Sequence, residues 1–176
     1  MNSLQYACGP KCALTATREK EALRVARELK RSEKAAKRAL KARREALKSK
    51  SDHLRETQAV FNRFIRLRDT IPEDLPCISC QRHHTGQYHA GHYLTTAAFP
   101  EKRYLEDNCH KQCSACNNHL SGNISAYRIH LKEKIGADRL ACLEGPHPPK
   151  KYTIDDLKQI KSDYKKKIKE LESVCG

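Results

Sequence analysis

Four cysteines of this chain fall as two Cys-x-x-Cys pairs, Cys77/Cys80 and Cys113/Cys116. Two intervening residues let both thiolates of a pair turn onto one ion, and two pairs supply the four soft ligands of a closed, structural Zn2+ site. The 32 residues between the pairs exceed the roughly 15–20 of a compact zinc ribbon, so something is inserted there. The insert holds five of the nine histidines. His92 stands sixteen residues before Asn108, and Asn108 nine before Asn117, which directly follows Cys116. Imidazole titrates near neutral pH, which makes His92 the best candidate general base for a hydrolysis. Taken singly, His92 reads as a structural histidine, Asn108 as a turn residue and Asn117 as a helix cap. Only their joint spacing raises them above that.

A histidine, a central asparagine and a final His or Asn, with Cys-x-x-Cys just before the last, resembles the zinc-supported HNH nuclease motif. In that ββα-metal fold the first two residues lie on or beside a hairpin and the last begins a helix. The sequence allows this: Tyr88 to Leu94 as a first strand, Lys102 to Leu105 as a second, and a helix after Gln112. The motif implies that His92 activates water and that Asn108 fixes its ring. It further implies that Asn117 and His89 hold one divalent cation at the scissile phosphate. Mg2+ or Mn2+ is the expected catalytic ion, a histidine ligand leaning toward Mn2+ and softer ions.

The run AGHYLTTAAFPEKRYLEDNCHKQCSACNNHLSGN extends the likeness, followed by Tyr127-Arg128 and Lys134-Ile135-Gly136. Together with Phe64-Ile65-Arg66 and Leu75-Pro76-Cys77, it is similar to the lambdoid phage NinG family, also called Rap. That resemblance implies a recombination endonuclease cutting Holliday junctions and D-loops, and it is weakest in the basic N-terminal half. The family usually carries Asp where this chain has His89, and a further Asn in place of Leu105. It also carries another cysteine pair upstream of Cys8 and Cys12, which this chain lacks. We expect Cys8 and Cys12 to be unliganded; a truncated start, a partner subunit or a histidine completing their site is the alternative.

The elements that must position these residues follow from composition. Ala13 to Lys50 is rich in Ala, Leu, Lys, Arg and Glu without Gly or Pro, a helical composition. Leu40, Leu47, Leu54 and Phe61 recur every seven residues, a weak coiled-coil signal. Leu54, Val60, Phe61, Phe64, Ile65 and Leu67 form an apolar stripe for a helix packing on the zinc core. Ile124 to Ile135 reads as a helix closed by Gly136. Residues 145–151, GPHPPKK, form a linker, and Thr153 with Asp156 makes a capping box for a last helix striped by Ile154, Leu157, Ile160, Tyr164, Ile168 and Leu171. The expected fold is α+β and mostly helical. A basic helical extension spans residues 1–53, a zinc-stapled ββα-metal core 54–144, and a linker with packing helix 145–176.

Hydrophobic residues are 38% and Trp is absent, so the core is small and a metal staple suits it. No hydrophobic signal segment or membrane-length stretch appears, and reduced thiols fit the cytoplasm of a bacterial host. The formal net charge of +14 points to a polyanion, and DNA is the expected partner. Fifteen Lys or Arg against five Glu between Lys11 and Lys50 supply most of that excess. Lys102, Arg103, Lys111 and Arg128 add to the footprint beside the candidate site. A homodimer suits symmetrical cutting of a four-way junction. The rival readings are a zinc module that binds DNA without cutting, and an interaction domain for recombination proteins.

Overall fold

A computed structural model describes residues 9–174, the side chains of residues 13 and 174 apart, and these fall into two compact units that divide between residues 48 and 49. Among the described residues the first unit is a single helix, α1, Pro10–Ala46, which opens with proline at its first position, where the missing N–H costs nothing. Cys8 lies outside the described residues, so the expectation for the Cys8/Cys12 pair does too.

The second unit begins at Ser49. Its hydroxyl accepts from Asp52 N–H at 3.2 Å while Ser49 N–H donates to Asp52 Oδ2 at 3.0 Å, a capping box that starts α2, Lys50–Arg68. This restart interrupts the seven-residue run of Leu40, Leu47, Leu54 and Phe61, so it is not one helical seam. The expected boundary after residue 53 lies four residues inside α2.

α2 buries Thr57, Phe61, Phe64 and Ile65 against the last helix, α5, Ile154–Val174, whose Leu157, Tyr164 and Ile168 are buried in return. The Thr153/Asp156 capping box opens α5 as expected. Phe61 meets Tyr164 edge-on, with ring centroids 4.9 Å apart, and Tyr104 at 5.5 Å.

Between the two hooks lies an antiparallel hairpin, β1, Tyr88–His92, and β2, Cys109–Cys113, with Tyr88 opposite Cys113 and His92 opposite Cys109. This corrects the expected second strand at Lys102–Leu105. That stretch is occupied by a 3-10 turn at Pro100–Lys102, and Tyr104 turns into the aromatic core. Lys102, 1% exposed, donates through Nζ to the carbonyls of Leu143 and Gly145 at 2.7 and 2.8 Å. The true strand, CHKQC, is buried at all five positions because both faces are packed, so it shows no polar–apolar alternation.

On one face of the hairpin Ala90 and Cys109 join the α2–α5 cluster. On the other sit α3, Ile124–Ile135, and α4, Ala137–Glu144, with Tyr127, Leu131, Leu140 and Leu143 around Ile78 and Tyr93. The helix expected after Gln112 begins as a single π-helical turn, Ala115–His119. Positive φ at Ser121, Gly122 and Asn123 then separates it from α3. Among the described residues no helix is long and apolar enough to cross a membrane.

Candidate metal centre and the hairpin beside it

The two hooks meet where the hairpin ends. Cys113 closes β2, Cys116 lies in the π-helical turn, and Cys77 and Cys80 flank a tight turn that Gln81 completes at φ 54. All four sulfur atoms lie within 4.8 Å of one another, with Cys80 and Cys113 4.0 Å apart. Bonds of about 2.3 Å to a central Zn2+ would set tetrahedral sulfur–sulfur edges of about 3.8 Å. Backbone N–H groups already point at the sulfurs: Cys113 N–H at Cys77 Sγ, 3.3 Å, and Cys116 N–H at Cys113 Sγ, 3.5 Å.

Burial pushes the Cys77 thiol up, and burial with the neighbouring Cys113 sulfur pushes Cys116 up to about 12. A divalent cation supplies the positive charge that would let such buried thiols ionise. At Cys80 burial is the largest single influence and acts in the same upward direction, but the His84 ring 3.2 Å from Sγ, the Arg82 N–H and the Cys77 sulfur together outweigh it and bring the thiol down to about 6. The quartet fits a metal such as zinc. His84 sits beside that quartet, with its backbone N–H donating to the Tyr88 hydroxyl at 2.7 Å.

His92 stands at the last rung of β1. Its Nε2 bonds the Arg103 carbonyl at 3.0 Å, so Nε2–H donates and Nδ1 keeps its lone pair; Nδ1 lies 3.8 Å from Cys109 Sγ. Burial lowers its pKa, which the Arg103 carbonyl partly opposes. Asn108 is fully buried one residue before β2. Its amide meets the backbone of Leu94 and the carbonyl of Lys102 rather than the His92 ring. Asn117 is half-buried and donates to Asn118 Oδ1 at 2.7 Å.

His89 pairs with Gln112 across the hairpin. His92 lies three positions further on, an odd offset, so the strand sends the two side chains to opposite faces. Within the second unit, among the described residues, the cysteine quartet is the one group of Cys, His, Asp or Glu gathered to share a metal.

A neighbouring polar network was not legible in the sequence. Asp69, 2% exposed at the end of α2, receives Arg68, Lys134 Nζ at 2.9 Å and the Lys111 N–H at 2.8 Å, with His110 Nδ1 3.6 Å away. Burial would raise its carboxyl; the His110 ring and Arg68 guanidinium hold it well below the usual carboxylate range. Arg68 also reaches His110 Nδ1 at 2.8 Å and the Cys109 carbonyl at 3.0 Å, tying α2 to β2.

Residues 1–173 match the family model described as Bacteriophage Lambda NinG protein. The chain belongs to the NinG family. The protein ninG of Escherichia phage lambda is 44% identical over 120 residues, covering 68% of this chain and 57% of that relative. That of Salmonella phage P22 is 45% identical over 118 residues, 67% of this chain and 57% of the relative. The ninG protein of Escherichia phage 933W is 42% identical over 120 residues. The match thus spans a little over half the length of these NinG relatives. No solved structure matches the chain.

Proposed function

We propose that this NinG-family chain is an HNH-type, ββα-metal endodeoxyribonuclease of the kind called Rap. Its substrates would be branched recombination intermediates such as Holliday junctions and D-loops, and its products 5′-phosphate and 3′-hydroxyl ends. The observation that carries the reading is His92 at the end of β1, with Nε2–H committed to the Arg103 carbonyl and Nδ1 left basic. That tautomer, kept neutral by burial, is the one that accepts a proton from an attacking water. Asn108 acts on the same loop by holding its backbone closed, and the cysteine quartet anchors the opposite, open end of the hairpin, where Tyr88 pairs with Cys113. The net charge of +14 suits a substrate recognised through its phosphates, which report shape rather than base identity.

A Mg2+ or Mn2+ ion belongs to this reaction class, where it stabilises the leaving oxygen. His89, on the face of β1 opposite His92, does not fit a shared cation-and-base site, so the reading rests on His92 rather than on His89. A second reading, a zinc-bearing module that binds DNA without cutting, is favoured by the approach of His92 Nδ1 to buried Cys109 and by the pairing of Asn117 with Asn118.

The discriminating experiment offers a synthetic four-way junction and its matched linear duplex to the protein with Mg2+ or Mn2+. Metal-dependent cutting of the junction supports the nuclease. Tight binding without cutting in either metal leaves the DNA-binding module.

A further inference from the structure

α1 is 37 residues long, and none of its described side chains is buried. Its charges are not spread evenly. Lys20, Arg24, Arg27, Arg31, Lys34, Arg38 and Lys41 follow one another at alternating steps of four and three. At about 100° per residue the seven fall within an arc of about 100°. Leu23 is the one other side chain between residues 20 and 41 that shares this arc; Glu21, Glu28 and Glu33 all lie outside it. Of the seven, only Arg24 has an ion pair among the described residues, with Glu21 at 2.7 Å. The opposite arc carries Ala22, Val25, Leu29, Ala36 and Leu40.

We infer that this stripe on α1 is a docking surface for the sugar–phosphate backbone of duplex DNA. Charge and length argue for that occupant. Six unneutralised cations on one face have no acidic counterpart within the arc, and phosphates supply one. At about 1.5 Å per residue the stripe runs about 32 Å, close to the roughly 34 Å of one duplex turn. Lysine and arginine heads on long stems, with no aromatic or amide side chain among the seven, suit phosphates rather than base edges. The surface would hold a duplex arm of any sequence. This inference rests on the DNA-acting reading above but not on cleavage, so binding alone tests it.

The experiment follows fluorescence anisotropy of a labelled duplex of about 30 base pairs across a salt series, using the full chain. One variant replaces Arg24, Arg27, Arg31 and Arg38 with Gln, which keeps helix propensity. A control replaces Arg18, Lys37, Arg43 and Arg44 with Gln, removing the same charge from outside the arc. A third replaces the four stripe arginines with Lys. Every phosphate that a side chain no longer neutralises should flatten the slope of log affinity against log salt by about 0.9, so the stripe variant should be shallower by about 3–4. The off-stripe control should change by less than about 1, and the Lys variant should match wild type. Equal effects of the two Gln variants would reduce the stripe to bulk charge and overturn its role as a docking surface. An unchanged slope, or a stripe variant altered only in self-association by sedimentation, would overturn the inference as well. Junction cutting at saturating protein serves as a separate readout, so a protein that never cuts still reports on the stripe.

Discussion

Asn108 and Leu94 are joined head to tail: Leu94 N–H donates to Asn108 Oδ1 at 2.8 Å, and Asn108 Nδ2 donates back to the Leu94 carbonyl at 3.0 Å. The side chain thus stands in for a strand residue, one rung past the last β1–β2 pair, while Tyr93 N–H reaches the Asn108 carbonyl at 2.8 Å. A second Nδ2 bond, to the Lys102 carbonyl at 3.1 Å, closes the loop that supplies the Arg103 carbonyl to His92. An asparagine fits because the site needs one acceptor and two donors on one planar group.

Asn108→Asp should therefore fail as a replacement despite equal size. It presents acceptors to two carbonyls and, like Asn108→Ala, should cost about 2–4 kcal/mol in urea unfolding. Stability of Asn108→Asp within about 0.5 kcal/mol of wild type would show that the loop does not depend on these bonds.

The cysteine quartet should bind about one zinc per chain. Metal analysis should find that Cys113→Ser loses the ion and much of the cooperative unfolding transition. Cys142→Ser, at an exposed position, should keep both. Equal zinc content in the two variants would remove the quartet as the metal centre.

Acid should destabilise the fold before the carboxylates titrate. Burial lowers His110 to about 4, with the Lys134 and Arg68 charges acting in the same direction against the attraction of the Asp69 carboxylate. In the unfolded chain histidine titrates near roughly 6.5, so it binds a proton there sooner than in the fold. The contribution is fully present above about pH 6.5 and is lost as pH falls toward about 4, amounting to about 3 kcal/mol. Asp69, depressed in the fold, adds a further loss below about pH 4. His110→Asn should flatten the difference in unfolding free energy between about pH 7 and about pH 4.5. A wild-type and variant pair with parallel pH profiles would contradict this.

Part of this architecture is written locally in the sequence. The hooks announce themselves by spacing, α2 and α5 by apolar stripes, and α5 by its Thr153/Asp156 box, because each signal involves residues within a few positions of one another. The second strand does not. Its five residues, Cys109 to Cys113, are buried by partners far along the chain: Arg68 and Asp69 from α2, Ser79 from the first hook, Tyr127 from α3. Gln112, for instance, is a core residue because its amide bridges Ser79 Oγ and the Gly122 carbonyl. Lys102–Leu105 looks more strand-like, yet Lys102 is drawn away to the end of α4. Likewise, motif spacing brings His89 and His92 together, whereas strand periodicity divides them between two faces. Asp69 carries no local signal at all; its role depends on Lys134, 65 residues later.

The nuclease reading stands or falls on cleavage of a synthetic four-way junction by wild type and His92→Ala, with binding followed in parallel. Wild type should cut in Mg2+ or Mn2+. The variant should fall by at least about 100-fold, the usual scale of a lost general base, while its junction affinity stays within about threefold. Undiminished cutting by His92→Ala would contradict the assignment of His92 as the base.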